Sequence, residues 1–116
     1  MASPAETVSV MADGQAAVYD VRSHGYYSFS AVRILSSQRL DPNSLGQTTA
    51  DFPSDKEIFL YCTCAGETTS VLVAKELLNR GVHTRVIKGG LKAWKHAGLP
   101  VEMVPKEEIE LLPVFS

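Results

Sequence analysis

The chain has 116 residues, of which 45% are hydrophobic and 21% charged, and its formal net charge is −2. This fits one compact domain that can bury a core without disulfides or a structural metal, and excludes a chain that binds nucleic acid through its overall charge. No apolar run reaches the roughly 18 residues of a membrane span, and the opening "MASPAETVSVMADG" lacks the basic and long apolar stretches of an export signal.

The expected setting is therefore the cytoplasm, with the chain standing alone or as a cytoplasmic domain of a larger protein. There, two cysteines are expected to remain thiols. A single domain over residues 1–116 is expected, with an ordered core over about residues 5–104 and a tail over 105–116.

After the turn signal Asp13-Gly14, "AAVYDV" (Ala16 to Val21) reads as a strand. The stretch "DPNSLGQTTADFPSD" reads as loop with at most a short helical turn. "EIFLYC" (Glu57 to Cys62) and "TRVIKG" (Thr84 to Gly89) are further strands. Their apolarity is continuous rather than alternating, which suits strands covered on both faces of a parallel sheet. Between them, "TSVLVAKELLNRG" predicts a helix with Val71, Ala74, Leu77 and Leu78 on its apolar face. Thr68, Thr69 or Ser70 suits its cap, and Gly81 its C′ position. "GLKAWKHAG" predicts a second helix with Leu91 and Trp94 inward, ended by Gly98. "PKEEIELLPVFS" begins like a helix and is stopped by Pro113. The fold class is α/β with a central, mainly parallel sheet flanked by helices.

The chemistry concentrates in "YCTCAGETTS" (Tyr61 to Ser70), which holds both cysteines. It leaves a strand at its carboxyl end, where ligands of open α/β sheets sit, and runs into a helix N-terminus. Loop N–H groups and the helix end, worth about half a positive charge, favour a thiolate. A free thiol titrates near 8.5, and lowering that by about 2 units takes roughly 2.7 kcal/mol of preferential thiolate stabilisation. Cys62 ends an apolar strand and reads equally as a small core residue. Cys64, beside Gly66, reads more readily as the chemical one. A Cys-x-Cys pair with three scattered histidines does not make a zinc framework, so no metal is expected.

Four stretches, in order over nearly the whole length, resemble the single-domain rhodanese (sulfurtransferase) family. "VYDVRSHGYY" looks like its Asp-x-Arg strand end followed by a short helix, and "EIFLYC" like the strand entering its active-site loop. "TSVLVAKELLNRGVHTRVIKGG" looks like the helix and strand that follow. "VIKGGLKAWKHAGLPVE" is close to its Gly-Gly-x-x-x-Trp-x-x-x-Gly-x-Pro-Val pattern. The resemblance implies a three-layer rhodanese-like fold and a cysteine persulfide enzyme without metal or organic cofactor. Its partners would be a small-molecule or protein persulfide donor of sulfur and a thiol acceptor, with neither nucleic acid nor membrane insertion.

Counted from the strand, Cys62 stands where the family's cysteine usually is. Counted back from the helix, Ser70 lies six residues after Cys64, which matches the family's usual loop. Loop length and helix end set the cradle, so Cys64 is the expected nucleophile. Ala65, Gly66, Glu67, Thr68, Thr69 and Ser70 would form the loop, with Cys62 a core residue or second thiol. Asp20 and Arg22 would support it.

Two departures stand out. "FSAVRILSSQRL" replaces the family's Gly-His-Ile-x-Gly-Ala segment, and Glu67 stands in a loop that often carries a cation. A carboxylate pointing inward there would repel thiosulfate. Arg33, Arg39 and Lys88 are candidate rim charges for an anionic donor. Cysteine phosphatases need an arginine six residues after the cysteine, but Ser70 and Thr68 occupy those places. The alternative to an enzyme is a non-catalytic rhodanese-like module that binds or regulates another protein.

Overall fold

In the computed structural model the described residues are 1–22, 32–40, 52–53, 55–62 and 68–104. Helix α1 (Pro4–Ala12) begins at a capping box in which the Glu6 N–H donates to Ser3 Oγ at 3.1 Å and the Ser3 N–H to Glu6 Oε1 at 3.5 Å. Pro4, whose missing N–H costs nothing there, is its first residue. The sequence reading did not anticipate this helix.

Strand β1 (Ala16–Asp20) lies at the centre of a parallel sheet with β3 (Gln38–Arg39), β4 (Glu57–Tyr61) and β5 (Thr84–Val86), in the order β3-β1-β4-β5. The β1–β4 register runs from Ala16 opposite Glu57 to Asp20 opposite Tyr61. Chain start and β5 are joined where the Ala2 N–H donates to the Val86 carbonyl at 2.8 Å and the Lys88 N–H to the Ala2 carbonyl at 2.7 Å. A second, two-stranded antiparallel sheet pairs β2 (Val32–Ile34) with β6 (Val101–Met103). Among the described residues no helix is long and apolar enough to cross a membrane.

Both faces of the parallel sheet are covered, which gives the three layers. Strand alternation sends Ala17, Tyr19 and Val21 of the β1 segment, with Ile58, Leu60 and Cys62 of the β4 segment, to the face that packs on α2 (Thr68–Asn79) through Val73 and Leu77. Val18, Phe59 and Tyr61 point the other way, toward α1, β2 and α3 (Gly90–His96). Leu91 and Trp94 are buried there as expected, and the Trp94 indole N–H donates to the Pro100 carbonyl at 2.8 Å.

The inward face of α2 differs from the expected one. Val73 and Leu77 are its buried apolar residues, with Ser70 buried above them and Ala74 partly covered; Leu78 is 53% exposed. Residues 70, 73, 74 and 77 follow the i, i+3, i+4, i+7 pattern, and they turn the helix away from the stripe through Leu78. Its C-terminus closes as expected, with the Gly81 N–H on the Leu78 carbonyl at 3.0 Å and the Val82 N–H on the Leu77 carbonyl at 2.8 Å.

Gly90 fixes how α3 meets β4. Its φ is +58°, and a Cβ on it would clash with the Cys62 carbonyl oxygen and lie 3.1 Å from the carbonyl carbon. The neighbouring Leu91 N–H donates to that same oxygen at 3.2 Å. Gly98 also has a positive φ, +73°, but nothing lies within 4 Å of the place its Cβ would take. Gly98→Ala should therefore cost only the left-handed penalty, about 1–2 kcal/mol. Gly90→Ala should add the displacement of backbone and lose about 3 kcal/mol or more, lowering Tm by about 10 °C. Thermal denaturation of the two variants checks this; equal losses would contradict the packing of Gly90 on the strand end.

Candidate active site at the carboxyl ends of the strands

The strand ends carry a fully buried polar network. Arg22 Nε donates to Asp20 Oδ1 and Oδ2, each at 2.9 Å, and Arg22 Nη2 pairs with Oδ2 as well. The Arg22 backbone N–H reaches Oδ1 at 3.0 Å, and Nη2 also donates to the Val32 carbonyl at 2.7 Å. Both side chains are 0% exposed. A buried ion pair carries a large desolvation cost, which these hydrogen bonds offset. The pairing of Asp20 with Arg22 clamps the end of β1 onto β2.

Tyr61 completes the network, and sequence reasoning missed it. Its hydroxyl donates to Asp20 Oδ2 at 3.2 Å and accepts from the Ile34 N–H at 3.1 Å. Ser37 Oγ lies 2.8 Å away; since the phenol proton goes to the carboxylate, Ser37 is the donor. Burial, with the Asp20 charge second, pushes the Tyr61 phenol well above its ordinary range, so it stays a neutral donor. The available signal was a tyrosine in a fully apolar strand, where its hydroxyl needs a partner.

Tyr61 and Cys62 are adjacent and therefore point to opposite faces. Cys62 follows Ile58 and Leu60 into the α2 core and is 1% exposed. Its carbonyl is covered by Gly90, as described above. After Cys62 the chain enters the loop, and α2 begins at Thr68. Cys64, Ala65, Gly66 and Glu67 lie outside the described residues, as does the side chain of Thr68. Thr69 is half-buried. Ser70 is not a cap: it is the third residue of the helix, fully buried, and its hydroxyl has no hydrogen-bond partner among the described residues.

The structure separates the three candidate rim charges. Arg33 Nε pairs with Glu102 at 3.4 Å. Arg39 Nη1 donates to the carbonyls of Asp20 at 2.9 Å and Leu40 at 3.2 Å, which makes it a support of the β1–β3 edge. Lys88 is exposed. The "FSAVRILSSQRL" segment falls partly outside the described residues; the rest of it forms β2, β3 and the turn between them, from which Ser37 and Ile34 hold Tyr61.

The comparisons with known proteins bear on this arrangement. A tRNA sulfurtransferase of Desulfurococcus amylolyticus is 33% identical over 107 residues, which cover 84% of this chain. This chain matches 20% of that relative's length. A rhodanese-related protein from Thermoplasma volcanium has the same fold, with a TM-score of 0.73 at 20% identity over 89% of this chain and 97% of that one. The rhodanese-like domain of an Anabaena protein gives 0.73 at 22% identity over 100% of this chain and 86% of that one. The sequence model of the rhodanese-like domain family matches residues 3–97. With that match spanning most of its length, the chain belongs to the rhodanese-like domain family.

Proposed function

We propose that this domain is a sulfurtransferase that carries sulfur as a persulfide on Cys64. The observation that carries the reading is the burial of Cys62: the chain has two cysteines, and this one is enclosed by the α2 core. The sulfurtransferase name of the Desulfurococcus relative supports the same class of chemistry. With thiosulfate, the Cys64 thiolate attacks the outer sulfur. The donor's S–S bond breaks, sulfite leaves with the electron pair, and Cys64 holds Cys–S–S⁻. An acceptor thiolate then attacks the terminal sulfur, forms its own persulfide and returns Cys64 as thiolate. Helix α2 begins four residues after Cys64, and a helix N-terminus favours the negative charge that the sulfur carries in both steps. The donor is a small molecule or a protein persulfide, the acceptor a thiol, and the setting cytoplasmic.

Intact-mass measurement after incubation with thiosulfate or a persulfide donor tests this. Wild type and Cys62→Ser should gain one reducible sulfur atom, and Cys64→Ser should gain none. An adduct that survives in Cys64→Ser and vanishes in Cys62→Ser would overturn the assignment. Absence of an adduct with either donor would make the domain a binding module.

Glu67 is expected to make thiosulfate a poor donor. At an effective dielectric of about 20 and a separation of about 6 Å, its repulsion is roughly 2.8 kcal/mol per unit charge on the ligand. Screening reduces that to about 1 kcal/mol, still about fivefold in binding. Glu67→Gln and then Glu67→Arg should raise kcat/KM for thiosulfate, with a gain that shrinks as salt rises. Unchanged turnover in both at low ionic strength would show that the carboxylate does not face the donor.

A further inference from the structure

Three arginines of the described surface pair with carboxylates. Arg80 pairs with Glu76 at 2.9 Å, Arg85 with Glu6 at 2.8 Å and Arg33 with Glu102 at 3.4 Å. Lys88, Lys92 and Lys95 are exposed and have no ion-pair partner among the described residues. Lys56 and Lys75 are also exposed, but each stands singly, before β4 and on the outer side of α2. The three lysines at 88, 92 and 95 instead fall within eight residues of one another: Lys92 and Lys95 are on α3, and Lys88 stands just ahead of Gly89 and Gly90, which open it. Exposed His96 adjoins them.

Its place matters more than its charge. Lys88 and Lys92 flank Gly90 and Leu91, the two residues that hold the Cys62 carbonyl, where the cysteine-bearing loop starts. A partner lying along α3 therefore reaches the loop. We propose that the Lys88–Lys92–Lys95 cluster is a docking surface for an acidic protein that exchanges sulfur with this domain. This rests on the sulfurtransferase reading and names the partner's chemistry.

Three considerations select that partner. Three separate exposed cations, with exposed His96 beside them, are more than a small anionic donor engages, so the cluster suits a larger partner. The unmatched cations sit together on a chain of net charge −2, so they offer local complementarity to an acidic patch rather than a general field. Nucleic acid is disfavoured because single strands use aromatic stacking platforms as well as cations, and the aromatic of α3, Trp94, is fully buried.

The test is binding, which needs no turnover. A fluorescently labelled, cysteine-free peptide rich in aspartate and glutamate is titrated with the full chain at low salt and followed by anisotropy. A serine-rich neutral peptide and a uridylate oligonucleotide of the same charge as the acidic peptide are run alongside. The acidic peptide should bind at least about tenfold more tightly than the neutral one, and the difference should collapse toward 0.5 M salt. Lys88→Gln, Lys92→Gln and Lys95→Gln combined should remove most of the preference, and the corresponding glutamate substitutions all of it. Amide shifts on peptide addition should centre on residues 88–96. Equal binding of acidic and neutral peptides, or a preference that persists in the glutamate variant, would overturn the proposal. Tighter binding of the oligonucleotide would overturn it too, in favour of a nucleic-acid surface. If the persulfide test fails while acidic binding holds, the catalytic reading falls and the docking surface stands; the reverse result sinks the surface alone.

Discussion

The carbonyl of Cys62 is the fixed point on which the site is built. It receives the Leu91 N–H and leaves no room for a side chain on Gly90, so α3 and the end of β4 cannot move independently. One residue earlier, Tyr61 is held by Asp20, Ser37 and the Ile34 N–H. One strand over, the Val21 N–H donates to the Tyr61 carbonyl at 3.0 Å. The chain thus enters its cysteine-bearing loop from a strand end anchored on both sides, and leaves it at the first turn of α2, whose Val73 and Leu77 pack beneath the same strands. Rigid supports of this kind are what a functional loop needs at its two ends.

The Asp20–Arg22 pair contributes to that rigidity. Both groups are fully buried, and Arg22 directs its Nε and Nη2 donors to Asp20 and the Val32 carbonyl. Removing one partner of such a pair leaves an uncompensated charge and costs about 3–5 kcal/mol, whereas the intact pair adds little net stability. Its effect is positional: it joins the end of β1 to β2, and through Tyr61 to β4. Lys88, by contrast, is exposed and has no ion-pair partner among the described residues.

Much of the fold was legible because its signals are local. Continuous apolar runs at Ala16–Val21, Glu57–Cys62 and Thr84–Gly89 mark a covered parallel sheet, and Gly89-Gly90 followed by Leu91 and Trp94 marks a turn into a packed helix. The α1 capping box was equally local, with Ser3, Pro4 and Glu6 in place, but the segment was weighed only for export. Strands β2, β3 and β6 have two or three residues each and owe their existence to distant pairing, such as Val32 with Met103, which no local pattern announces. The face of α2 was misread because Val71 and Leu78 are as apolar as Val73 and Leu77, and only docking against the sheet chooses between the stripes. At the site, strand alternation settles the surroundings of Cys62, since it continues the parity of Ile58 and Leu60. The partners of Tyr61 come from a segment that departs from the family pattern, so nothing in the sequence pointed to them.

The central claim is a division of labour between two thiols two residues apart: one inert in the core, one activated in the loop. The most direct measurement is the rate of alkylation of each cysteine in the native chain against pH, read by peptide mass. The account predicts that Cys64 reacts with a midpoint below about 8.5, its rate rising with pH as the thiolate forms, while Cys62 stays protected until the protein unfolds. Ready alkylation of native Cys62, or a Cys64 midpoint at or above that free-thiol value, would contradict it.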